Sequence, residues 1–179
     1  MRDWNVVVSI YQDGFRRAIR ALEKLGQVER SRYHNVLVLK VEDGMSFLKT
    51  VERKTEESPA LYDAISRIAP AMRNFEFRSA EEFNERAISV LREWSQQLVG
   101  RSFHIRLHRR GVRQDLRTPE TERFLNEAAL AATAEGGMPG RLSFTDPDVV
   151  VAIDTVDDRA GMALWTREDL ARHRLLRPD

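Results

Sequence analysis

The chain has 179 residues, with 29 basic and 28 acidic side chains, no cysteine and 42% hydrophobic residues. This composition suits a packed globular chain and excludes collagen-like, low-complexity and disulfide-scaffold classes, as well as thiolate catalysis and thiolate metal sites. The length predicts one domain or two small ones, with no separate doubly wound catalytic domain.

Trp4 to Ile10 is rich in β-branched residues and ends at the polar Gln12-Asp13-Gly14, which predicts a strand. The apolar stretch Val6 to Val8 is too short for a secretory h-region, and no run approaches the ~20 apolar residues of a membrane span. A cytoplasmic protein is expected. From Asp13 the period changes: Phe15, Ala18, Ile19, Leu22 and Leu25 fall on one helical face, and Gly26 stands where that helix should end. Residues 27–33 and 35–41 predict two strands joined at His34-Asn35. Asp43 can cap a second helix with Met45, Leu48 and Val51 inward, and Ser58-Pro59 starts a short third one. Residues 65–77 predict one extended segment in which Pro70 favours an edge or bulge. The order strand, helix, strand, strand, helix, strand is the ferredoxin-like split βαβ pattern, over residues 1–78.

Ser79-Ala80-Glu81-Glu82 reads as a capping box opening a long helix with Phe83, Ala87, Val90, Leu91, Trp94 and Leu98 on its apolar stripe, closed by Gly100. Phe103, Ile105 and Leu107 then alternate with His104, Arg106 and His108, which predicts a strand with one apolar and one basic face. Thr118-Pro119 begins another helix, its inner stripe Phe124, Leu125, Ala128, Ala129 and Ala132, ended by Gly136-Gly137. Asp146-Pro147-Asp148 turns into a strand over 149–155, Asp157-Asp158 leads into another over 160–166, and a short C-terminal helix follows.

Divided along the chain, the charge stops being neutral. Residues 1–100 carry a net +1, residues 101–117 carry six arginines against Asp115 alone, and residues 118–179 carry 7 basic against 12 acidic side chains. Arginine suits phosphate because its planar fork donates two parallel hydrogen bonds and keeps its charge. The same block is also compatible with a solvated face in an arginine-rich chain, which has 25 Arg and 4 Lys in all. His104 and His108 share a strand face but stand ~13 Å apart, and the arginines around them repel a divalent ion, so they read as polar-face residues. Asp146, Asp148, Asp154, Asp157 and Asp158 lack EF-hand spacing and read as turn residues. No phosphate-cradling loop, nucleophile elbow or dinucleotide fingerprint occurs, and no nucleophile has a base beside it. The residues predict an anion-binding surface and no catalytic residue, metal or cofactor.

At Arg101 to Gly111 (RSFHIRLHRRG), the helix Pro119 to Ala134, Asp146-Pro147-Asp148 leading into VVVAID, and the closing AGMALWTREDLARHRLLRP, the second half resembles a THUMP domain. The resemblance implies a ferredoxin-like split βαβ domain at 1–78 packed on a THUMP α/β domain at 79–179. It implies, more narrowly, a non-catalytic protein that presents the acceptor stem and 3′ end of tRNA to a separate modifying enzyme, such as the acetyltransferase of cytidine N4-acetylation. The matching RNA-binding positions are Arg106, Arg109, Arg110 and Arg113, with Arg101 and His108, and a basic C-terminal set of Arg167, Arg172 and Arg174. Two other readings stay open on the residues alone. One is an enzyme of unrecognised type acting on RNA or a phosphorylated small molecule through the same groove, with His104 or His108 moving a proton. The other is an interaction domain whose arginines meet an acidic protein.

Overall fold

The computed structural model describes residues 1–111 and 115–177; Arg113 lies outside them. It is a mixed α/β structure with two sheets, in two compact units: Met1–Met72 with Leu170–Arg177, and Arg73–Asp169. No helix among the described residues is long and apolar enough to cross a membrane.

The first unit runs β1 (Val6–Ile10), α1 (Phe15–Leu22), β2 (Gln27–Arg30), β3 (Val36–Lys40), α2 (Gly44–Glu57), α3 (Pro59–Tyr62) and β4 (Ile65–Pro70). Its sheet has the order β2-β3-β1-β4, with every pairing antiparallel. Val8 stands opposite Leu37 on one side and Ile68 on the other, so three buried residues share one row. Val6, Val7 and Val8 are all buried, which explains why β1 shows no alternation: a strand covered on both faces has no polar side. Asp43 caps α2, its Oδ1 accepting the Ser46 N–H at 2.6 Å. Gly14 has a steric reason to be glycine, since a Cβ there would lie 2.4 Å from Ala64 Cα. The C-terminal segment is tied to this unit by Ile68 N–H donating to Leu175 C=O at 2.7 Å and by His173 Nδ1 lying 2.7 Å from Glu52 Oε2.

The second unit contains β5 (Arg73–Glu76), α4 (Ala80–Glu93), α5 (Ser95–Leu98), β6 (Ser102–His108), α6 (Thr118–Glu135), β7 (Arg141–Leu142), β8 (Val149–Val156) and β9 (Arg159–Thr166), and α7 (Arg167–Arg172) begins in it. The sheet order is β5-β9-β8-β6-β7; β6 runs parallel to both β7 and β8, and the remaining pairings are antiparallel. One core takes Phe103, Ile105 and Leu107 of β6, the inner residues of β8, and Phe83, Ala87 and Leu91 of α4. Phe77 meets Phe83 edge-on within it, ring centres 5.1 Å apart.

Three local expectations are corrected, and one short strand was not expected. Residues 65–77 do not form one segment: Ile65–Pro70 pairs with β1, and Arg73–Glu76 pairs with β9 in the other sheet. Pro70, which has no N–H to donate, ends the first of them. The helix from Ser79 does not reach Gly100 unbroken, because the backbone at Trp94 leaves helical geometry (φ −94°, ψ 3°) and a separate turn, α5, follows. Phe124 is 45% exposed rather than inward, and the buried face of α6 is Thr121, Leu125, Asn126, Ala129 and Thr133. The short strand β7 has no counterpart in the sequence reading.

The polar members of that buried face have a reason. β7 pairs only with Ser102 and Phe103, so the edge of β6 beyond them would expose its amides. Asn126 Oδ1 accepts from Ile105 N–H at 3.0 Å and Glu122 Oε1 from Leu107 N–H at 2.7 Å. Side chains of α6 thereby close a sheet edge that would otherwise invite pairing.

Candidate nucleic-acid interface

β6 fixes the site's geometry. Its alternation buries Phe103, Ile105 and Leu107 and turns His104, Arg106 and His108 to the opposite face, with Arg106 exposed. Glu122 and Asn126 meet Leu107 and Ile105 in turn, so α6 runs antiparallel to β6 and its first turn lies level with the strand's C-terminal end.

Beyond that end the backbone is pinned. Arg110 N–H donates to Thr155 C=O at 3.2 Å and to its Oγ1 at 3.1 Å, and Arg110 C=O accepts from Asp157 N–H at 2.9 Å. The Arg110 guanidinium donates to Asp154 Oδ1 at 2.9 Å; the two side chains are 18% and 5% exposed. Arg110 thus spends part of its fork on a nearly buried carboxylate, whereas Arg109 beside it is exposed and donates to the Gly111 carbonyl at 3.2 Å.

The remaining arginines are not gathered there. Arg101 precedes β6, about 26 Å from Arg109 at ~3.3 Å per extended residue. Arg167 lies at that same far end: its N–H donates to Asp148 C=O, and its guanidinium lies 3.3 Å from Asp146 and 3.2 Å from Asp148. The Asp148 carboxyl is held below the ordinary 3.8, chiefly by the Ser102 N–H, then by the Ser102 hydroxyl, with Arg167 and Arg141 adding to this. Arg172 is exposed on α7, and Arg174 lies in the first unit with its guanidinium 4.8 Å over the Tyr62 ring. The structure therefore divides the predicted set. Arg106, His108, Arg109 and Arg110 stand together, Arg101 and Arg167 flank the opposite end of the strand, and Arg172 and Arg174 lie elsewhere.

One residue of this surface escaped the sequence reading. Phe144 is 69% exposed, and its ring lies 5.5 Å from that of His104 at 31°. Pairing of β7 with β6 brings it there, and His104 Nδ1 lies 2.8 Å from Ser143 O. An exposed ring beside cations can stack a base while the guanidinium groups take phosphates. No group of three or more His, Asp or Glu residues among the described residues could hold a metal ion.

No family model and no curated protein matches the sequence. Solved structures do. PH1313 from Pyrococcus horikoshii Ot3 superposes with a TM-score of 0.57 at 17% identity, over 90% of this chain and 54% of its own. A possible methylase from Clostridium difficile 630 gives 0.56 at 13% identity, over 90% and 40%. A 4-thiouridine synthetase, in complex with RNA and ATP, gives 0.55 at 12% identity, over 90% and 41%. At such identities the likeness is one of fold, and the chain spans about half the length, or less, of each of these structures.

These neighbours correct the expectation of a non-catalytic presenter of tRNA. The structures that share the fold include a possible methylase and a 4-thiouridine synthetase, both named as enzymes. The expectation of no enzyme rested on the lack of a nucleophile with its base. The matched fold makes up 40–54% of the neighbours' chains, so that lack within it carries no weight.

Proposed function

We propose that this chain is the RNA-engaging part of an RNA-modifying enzyme, with tRNA as the substrate class and a cytoplasmic setting. In this reading the first unit is a ferredoxin-like half and the second a THUMP half. Arg106 and Arg109 take backbone phosphates, Arg110 positions the segment that carries Arg109, His108 extends the same surface, and Arg113 is a contact by the sequence resemblance alone. Arg101 and Arg167 form a second point of contact at the other end of β6, and Arg172 and Arg174 add basic contacts from the C-terminal segment.

The observation that carries the reading is a fold shared over 90% of the chain with a synthetase crystallised on RNA, joined to an exposed arginine pair at the end of a strand whose other face is core. Such a surface reads backbone and shape, and exposed Phe144 offers one stacking position. The antiparallel order β2-β3-β1-β4 around two helices supports the ferredoxin-like assignment.

The test is nucleoside mass spectrometry of tRNA from cells lacking the chain. One modified nucleoside should disappear and return with the wild-type chain, but not with Arg106→Ala plus Arg109→Ala. An unchanged nucleoside profile would overturn the reading.

A further inference from the structure

The first unit carries a charged cleft that the reading above leaves unused. It is an open cavity of about 780 Å³ between α1 and the corner where α2 gives way to α3. Arg16, Arg17, Arg20, Lys24 and Lys54 line it against Asp13 and Glu57, an excess of three cations. Two of the chain's four lysines are among them, so a general arginine surplus does not account for the cluster.

Helical spacing builds the arrangement. Arg16 and Arg20 stand one turn apart on α1, about 6 Å along its axis, and Lys24 follows in the turn just past the helix end, while Ala18 and Leu22 of α1 are buried in the core. Like charges at that spacing destabilise a helix. Arg16, Arg20, Lys24 and Lys54 make no ion pair among the described residues that would offset the repulsion. Arg17 is fixed differently, donating from its guanidinium to the Ala60 carbonyl at 2.7 Å and so joining α1 to α3.

A row of cations repeated at regular steps complements an anion that also repeats; a single phosphate would call for donors converging on one point. We propose that this cleft grips the phosphodiester backbone of RNA, as an anchor separate from the β6 arginines. The proposal rests on the RNA-binding reading above. The cleft's two carboxylates, Asp13 and Glu57, limit how closely a polyanion can settle and leave Arg16, Arg20 and Lys24 as the principal contacts.

The test uses the full chain and fluorescence anisotropy of a labelled tRNA between 50 and 200 mM salt. The variant is Arg16→Gln, Arg20→Gln and Lys54→Gln together; none of the three makes an ion pair among the described residues, so the thermal midpoint should stay at or slightly above wild type. If the triple variant unfolds, Arg16→Glu alone carries the same test. Binding should weaken about tenfold or more, and the slope of log affinity against log salt should become shallower by roughly 2–3, as expected for three lost phosphate contacts. Lys54→Arg should bind like wild type.

Wild-type affinity in the triple variant, with weakened binding in Arg106→Ala plus Arg109→Ala, would overturn the cleft and leave the RNA reading standing. No tRNA binding by the wild-type chain would overturn both. Inorganic tripolyphosphate and a polyglutamate peptide are the competing probes, followed by NMR of α1 amides. Saturable binding of tripolyphosphate that tRNA does not displace would assign the cleft to a small phosphorylated ligand instead. Displacement of tRNA by polyglutamate at equal charge would assign it to an acidic protein.

Discussion

Arg110 separates an arginine that holds the fold from arginines that reach outward, and its replacement tests that division. Arg110→Ala removes a guanidinium 2.9 Å from Asp154 Oδ1 and leaves behind a carboxylate whose side chain is 5% exposed. Removing one member of a buried ion pair costs about 3–5 kcal/mol, because the remaining charge stays desolvated with less to compensate it. Arg110 itself is 18% exposed, so some of its charge is already solvated, and the expected loss is about 2–4 kcal/mol. In a chain of this size that lowers the unfolding midpoint by roughly 5–15 °C, readable by circular dichroism. Arg110→Met with Asp154→Leu should recover most of it, since a whole pair can be exchanged for apolar side chains at little cost. Arg106→Ala, at an exposed position on β6, should leave the midpoint unchanged. A wild-type midpoint in Arg110→Ala would refute the structural role assigned to this pair.

Three further outcomes follow from named contacts. Asn126→Ala strands the buried Ile105 N–H, whose acceptor lies at 3.0 Å, and should cost about 1–3 kcal/mol in urea unfolding; an unchanged midpoint would show that the β6 edge needs no cover there. Asp148 has its folded value below the ordinary 3.8, so the stability it adds is complete above that pH and is lost as pH falls through the folded value. The protection factor of the Ser102 amide, relative to its intrinsic exchange rate, should therefore fall on acidification below pH 3.8 in the wild type, and Asp148→Asn should show low protection at every pH. Phe144→Ser removes a ring that is 69% exposed: stability should hold, while affinity for single-stranded RNA should drop by about 1–3 kcal/mol if a base stacks there. Equal affinity would remove Phe144 from the interface.

The sequence made some of this legible and hid the rest for identifiable reasons. The period of two in Phe103 to His108 placed β6 and its faces, and Asp43 and Ser79 marked helix starts at which each side chain accepts an amide three residues on. Phe124 was misjudged because the apolar stripe of α6 counts only hydrophobic residues, whereas the real inner face includes Asn126, and neighbouring Glu122 also serves an unpaired strand edge. Residues 65–77 kept an extended pattern throughout, and pattern does not tell which sheet a strand joins. Phe144 sits in a loop with no period to betray it. The α1 cleft stayed hidden because its cations come from residues 16–24 and from Lys54, two stretches that composition alone does not bring together. Local density of arginine, by contrast, overstated one cluster: Arg101 and Arg109 belong to one charge block yet lie at opposite ends of β6.

Ultraviolet crosslinking of the chain in its native cell, followed by sequencing of the recovered RNA and mass spectrometry of the crosslinked peptides, tests the central claim most directly. The account predicts tRNA enriched well above background, with crosslinks in the segment from Arg101 to Gly111. No enriched RNA, or crosslinks that avoid that segment, would contradict it.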